Sequence, residues 1–188
     1  MSNSLAAAVL TTTDLAEAIR AVHTLLEISD GCPEVDLEAV ITSPETLARV
    51  LDVLPGLEWW SMAGPGHGSS EAGDDPAGCL PIRVYDWSRP LESAEPFIAA
   101  LGSEPGALRW DLDGWPEVPE AGLEMVTQKY AYLTLTVNSR DLHQDEPSED
   151  HTVHVHARGR TDEPAARVRW LADRIGGRFT GRTELSAL

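Results

Sequence analysis

Lysine is almost missing from this chain. Lys129 is the only one among 14 basic residues, which face 31 acidic ones in a chain of 188. The formal net charge is −17. A surface of that sign repels nucleic-acid phosphates and anionic membranes, so neither is an expected partner. Cysteine is scarce as well. Cys32 and Cys79 stand far apart in unrelated contexts, so free thiols are expected rather than a disulfide framework. No run approaches the roughly 20 apolar residues that a membrane-spanning helix needs. Residues 1–10 carry no basic residue ahead of a short apolar stretch. That does not match a secretory signal and makes the cytoplasm the expected location.

Catalytic signatures are also wanting. There is no G-x-S-x-G. Cys32 precedes Pro33 in a turn, and Cys79 ends a glycine-rich stretch. Gly64-Pro65-Gly66-His67-Gly68 resembles a phosphate loop only in its glycines, because the Lys-Ser/Thr that completes such a loop is absent and its surroundings are acidic. Asp111 and Asp113, with Asp86, offer carboxylates for a divalent cation, but aspartates at strand ends and turns are commonplace. No catalytic residue, cofactor or metal-ligand set is expected.

What is present is an ordinary globular mixture, 42% hydrophobic and 24% charged, with six Trp to fill a core. The skew toward Arg, Ala, Gly, Pro and Asp is the usage of a GC-rich genome. Charge is uneven along the chain. Residues 1–150 hold 27 acids and 7 bases, whereas residues 151–188 hold 4 acids and 7 Arg.

Periodicity predicts a helix over 12–28, capped by Thr12 or Thr13, with Leu15, Ile19, Val22 and Leu26 on one stripe. A strand–helix–strand pattern then occurs three times. In the first copy a strand at 35–42 leads through Ser43 and Pro44 into a helix, and a strand follows at 57–62. The second has a strand at 80–87, a helix at 93–101 closed by Gly102, and a strand at 107–112. The third has a strand at 151–158, a helix from Pro164 to Ile175, and a short strand at 178–182. Pro at a helix start and Gly at its stop recur as punctuation. Two polar loops intervene, a glycine-rich one at 63–78, expected to be mobile, and an acidic one at 139–150.

The first two copies in series read β-α-β-β-α-β, the ferredoxin-like order. The expected fold is therefore α+β, with a mainly antiparallel sheet, helices on one face, and a C-terminal ββαβ extension. The expected division is 1–122, the first helix plus the ferredoxin-like unit, and 123–188, a long hairpin plus amphipathic helix and short strand, sharing one sheet or core.

The hairpin carries the candidate site. Residues 130–138 place Ala131, Leu133, Leu135 and Val137 on one face and Tyr130, Tyr132, Thr134 and Thr136 on the other. Val153 and Val155 continue the apolar face, and His154 and His156 the polar one. The expected register sets Val137 across from Val153 and Leu135 across from Val155, with His154 beside Thr136 and His156 beside Thr134. Tyr130, Tyr132, Thr134, Thr136, His154 and His156 thus form a candidate binding face, expected to be open to solvent. Two imidazoles two apart on a strand can present to a metal, yet a zinc or iron site needs three or four ligands. A plain polar surface accounts for the same residues.

Among the tryptophans, adjacent Trp59 and Trp60 must point to opposite faces, and Trp110 belongs to the core. Trp87 and Trp115 are the better contact candidates. The last helix has a buried stripe of Val168, Leu171, Ala172 and Ile175. Arg167, Trp170 and Arg174 lie elsewhere on it and, with Arg158, Arg160, Arg169 and Arg178, form the one basic region.

Two functions of different class remain. The first is a non-catalytic acidic binding protein, an inhibitor, an immunity or anti-defence protein, or a regulatory adaptor, recognising a basic protein through its negative surface. The second is a small-molecule or metal-dependent enzyme using the His/Tyr/Thr face.

Overall fold

The computed structural model describes residues 4–31, 34–70, 74–127, 131–157, 163–179, 181 and 183–186. Eleven strands and four α-helices lie among them, in the α+β arrangement expected. In chain order they are β1 (Ser4–Thr12), α1 (Leu15–Ile28), β2 (Glu34–Ile41), α2 (Pro44–Val53), β3 (Glu58–Ser61), β4 (His67–Ser69) and β5 (Ile82–Pro90). There follow α3 (Ala94–Leu101), β6 (Gly106–Asp111), β7 (Gly114–Trp115), β8 (Val126–Thr127), β9 (Ala131–Val137), β10 (His151–Ala157), α4 (Glu163–Arg174) and β11 (Thr183–Ser186).

Nine strands form one antiparallel sheet in the order β11-β1-β10-β9-β6-β2-β5-β3-β4. Within it, the order β6-β2-β5-β3 is compatible with a ferredoxin-like βαββαβ unit made by β2, α2, β3, β5, α3 and β6. The remaining strands repeat that order. β1, α1, β9, β10, α4 and β11 give β11-β1-β10-β9, again antiparallel throughout. One βαββαβ order is thus nested inside the other, between α1 and β9. Pairing of β6 with β9 joins the two into a single sheet.

Local chemistry explains the boundaries. Asp14, not Thr12 or Thr13, caps α1, its Oδ1 accepting from the N–H groups of Ala16 and Glu17 at 2.9 and 3.2 Å. The chain before it is β1. Ser43 caps α2 through the Thr46 N–H, with Pro44 opening the helix as predicted. The glycine-rich stretch is not all loop: β4 lies within it, paired with β3. Gly68 is required there, because a Cβ would come 2.7 Å from the buried Trp59 ring. The last strand is displaced from 178–182 to Thr183–Ser186, since Arg178 N–H bonds to the Val9 carbonyl and the chain pairs with β1 only beyond it.

The helices cover one face of the sheet. Leu37, Leu108, Leu133, Leu135, Val153 and Val155 meet Ala18, Val22, Leu25, Phe97, Val168 and Leu171 in one core. Trp110 is buried, as predicted, and of the Trp59-Trp60 pair Trp59 is the buried member. Trp115 is buried too, against expectation, and its Nε1 donates to the His156 carbonyl at 3.0 Å. Arg167 leaves the expected basic surface. It is buried and donates to the carbonyls of Pro116 and Glu124, so α4 clamps the β7–β8 segment. Arg158 and Arg160 lie outside the described residues.

Candidate functional site

The face without helices is built from aligned rows of side chains. Cross-strand pairing sets Asp36, Arg109, Thr134, His154 and Ala8 in one row. A second row runs Asp111, Tyr132, His156, Ala6 and Glu184. A third runs Glu58, Tyr85, Glu38, Ala107, Thr136 and Thr152. The hairpin register differs from the expected one by two residues: Val153 faces Leu135, His154 faces Thr134 and His156 faces Tyr132. Each side chain keeps its face, because the strand period is two.

The predicted binding residues do come together here, except Tyr130, which lies outside the described residues. They are not open to solvent. Tyr132, Thr134, Thr136, His154 and His156 are all buried, His156 to 1% exposure. The acidic loop 139–150 is the reason, because it folds back over this face. Leu142 N–H donates to Glu184 Oε2 at 2.7 Å, and the carbonyl of the next residue, His143, accepts from Arg83 Nη2 at 2.9 Å. Glu184 is on β11 and Arg83 on β5, six strand steps or about 29 Å apart in a flat sheet. Two side chains and a dipeptide cannot reach that far, so the sheet curls around the loop. Buried Asp141 holds the loop in shape, accepting from the N–H groups of His143, Asp145 and Glu146 and from the Ser139 hydroxyl. Burial pushes its carboxyl up, but these donors outweigh burial and hold it below the usual range.

Under the loop, the His156 ring Nε2 lies 3.2 Å from Thr134 Oγ1. Burial, neighbouring His154 and Arg109 together push the His156 imidazole down to about 3. It is therefore neutral at any physiological pH. His154 Nε2 lies 3.9 Å from Glu184 Oε1. His151 alternates onto the other face of the strand, with Val153 and Val155. Burial lowers it too, against the pull of Asp150 and Asp14, and its Nδ1 accepts from Asn138 N–H. No group of three or more His, Cys, Asp or Glu placed to hold a metal exists among the described residues.

Beside the loop the face opens into a cleft of about 290 Å³, reached by Asp36, Glu38, Tyr85, Trp87, Arg109, Thr134 and His143. Of the predicted hairpin residues, Thr134 lines it. Its outer wall is aromatic. Tyr85 meets Trp60 edge-on at 4.8 Å between ring centroids and stacks on Trp87 at 5.6 Å and 17°. Trp87 is 53% exposed and Trp60 41%. Arg83 pairs with Glu38 and lies 3.8 Å from Asp145. Arg109 lies 4.4 Å above the Tyr132 ring and pairs with Asp111 at 2.7 Å.

A bulge in β5 shapes the rim. Ser88 sits opposite Asp36 with φ of 53°, and its N–H donates to Asp36 Oδ1 at 2.9 Å. Asn138, beside the covering loop, and Gln144, within it, also have positive φ. Left-handed backbone costs a non-glycine residue about 1–2 kcal/mol, and such strain gathers where a surface is shaped for use. Asp36 is pushed above the ordinary carboxylate range by burial and by the like charges of Asp111 and Glu34, against the Ser88 N–H and Arg109. Burial and then Glu38 raise the Tyr85 phenol.

Sequence reasoning had singled out Trp87 but missed Tyr85, Asp36, Arg83 and Arg109. The available signal was alternation: Arg83, Tyr85 and Trp87 occupy one face of their strand, opposite Ile82 and Val84. Of the aspartates considered as a cation site, Asp86 lies 3.7 Å from Arg89 and Asp111 pairs with Arg109, so each is already beside a guanidinium. No protein-family model, curated protein or solved structure matches the chain.

Proposed function

We propose that the protein is a non-catalytic acidic binding protein that engages a basic protein through the open part of this sheet face. The observation that carries the reading is the row Trp60–Tyr85–Trp87, locked by ring contacts with both tryptophans left exposed and Tyr85 half-buried between them. Trp, Tyr and Arg supply most interface hot spots, and rings already fixed lose little freedom on binding. Asp36, Glu38, Glu58, Asp111 and Asp145 surround the row, with Arg83 and Arg109 the cations among them. With the net charge of −17, they favour a basic partner and disfavour nucleic acid. No helix among the described residues is long and apolar enough to cross a membrane. The enzyme reading fits less well, because the imidazoles it relies on are buried.

The test is capture from an extract of the native host, with the wild-type chain and a Trp60→Ala/Trp87→Ala variant as baits. The wild type should retain a basic protein that the variant loses, and retention should fall as salt rises. Equal recovery on both baits would refute the docking face.

A further inference from the structure

The cleft beside the aromatic row is small and flat-walled on one side, and carries the carboxylates of Asp36 and Glu38 beside Arg83 and Arg109 on the other. We infer that it seats one arginine side chain of the basic partner, its guanidinium stacked on the Tyr85–Trp87 wall and hydrogen-bonded to the Asp36 carboxylate. This rests on the docking reading and names the chemistry the partner must present.

Four observations lead there. First, the indole and phenol planes lie within 17° of each other on the cleft side of β5, and Trp87 is more than half exposed. A planar, weakly hydrated cation stacks on such a surface, whereas a compact, strongly hydrated ammonium does not gain from its flatness. Second, the cleft of about 290 Å³ falls at the lower bound for drug-sized ligands, a size that suits one long side chain.

Third, the protein's own cations are already engaged. Arg109 gives both Nε and Nη2 to Asp111 and covers the Tyr132 ring. Arg83 is taken up by Glu38, the His143 carbonyl and Asp145. Fourth, Asp36 is held in place by the Ser88 N–H on Oδ1 and stands near the like charges of Asp111 and Glu34 as well as Arg109, whose guanidinium is turned to Asp111. Its carboxyl lies above the usual range, chiefly through burial. A guest cation would offset that like-charge repulsion.

The test uses isotopically labelled full-length protein and three small probes, N-acetyl-arginine amide and its lysine and citrulline counterparts. Nuclear magnetic resonance follows the Trp87 indole N–H and the Ser88 backbone N–H. The arginine probe should shift both saturably, in the millimolar range expected for one isolated side chain. Citrulline, which keeps the shape without the charge, should shift neither, and lysine should bind at least about fivefold more weakly. Asp36→Asn should weaken the arginine probe by about tenfold. Trp87→Leu, at an exposed position that leaves the fold intact, should weaken it by about fivefold as read at Ser88. Equal shifts with citrulline, or unchanged arginine affinity in both variants, would overturn the inference. The capture experiment separates the two readings. A partner kept by Asp36→Asn but lost by Trp60→Ala/Trp87→Ala removes the arginine seat and leaves the docking face standing. A partner kept by both variants removes both.

Discussion

A neutral histidine sealed under a loop makes stability depend on pH in a direction that can be measured. His156 is 1% exposed and pushed down to about 3, against an ordinary value of 6.5. In the unfolded chain it regains that ordinary value. Between the two, the unfolded state binds a proton that the folded state refuses, so stability rises with pH and falls on acidification. Nothing is lost above about pH 7, where both states are neutral. Integrating the linkage gives a loss of about 1.4 kcal/mol by about pH 5.5 and about 2 kcal/mol by about pH 5. Carboxylates titrate over part of this range, and their protonation relieves the self-repulsion of a chain with net charge −17. A comparison with His156→Gln removes that background. Gln has no proton to accept and can still reach the Thr134 hydroxyl. The groups facing His156, namely His154, Arg109, Tyr132 and Glu184, stay in place in both proteins. Urea unfolding at several values between about pH 7.5 and about pH 5 should show the wild type losing about 2 kcal/mol more than the variant over that span. Profiles that run parallel within about 0.5 kcal/mol would mean that the imidazole takes up its proton in the folded state and that the loop does not seal it.

Two further outcomes are expected. Asp141→Ala removes the acceptor of three backbone N–H groups and the Ser139 hydroxyl, and should cost about 2–3 kcal/mol. Hydrogen exchange should quicken in loop 139–150 well before the core strands, and uniform protection would contradict the role given to this carboxylate. Trp115→Ala, at a fully buried position that also bonds the His156 carbonyl, should cost about 3–5 kcal/mol in denaturant unfolding, where a loss under about 1 kcal/mol would argue against the observed placement.

Most of the elements could be read from local pattern. β2, β5, β6, β9 and β10 alternate polar and apolar residues, and Ser43-Pro44 and Gly102 mark helix ends. β1 escaped because Ala6, Ala7 and Val9 are all buried. A strand covered on both faces shows no alternation and reads as a short apolar run. Arg167 was placed on the wrong side of its helix although it stands four residues before Leu171 and so shares that residue's face. The hairpin slipped by two residues for a similar reason. Val153 against Leu135 and Val153 against Val137 satisfy the same pattern, and only the long loop between the strands selects one.

The sequence by itself determined the charge, the α+β class, the antiparallel hairpin and which residues share the polar face, because each follows from neighbours within a few positions. It could not determine whether that face meets water. Burial of His154 and His156 depends on loop 139–150 being held between Arg83 and Glu184, residues about a hundred positions apart in the chain. The aromatic row is likewise a product of β3–β5 pairing, which brings Trp60 beside Tyr85. Alternation assigns a side chain to a face, but what covers that face is decided by contacts between distant segments, and here the tertiary structure closed one half of it and left the other open.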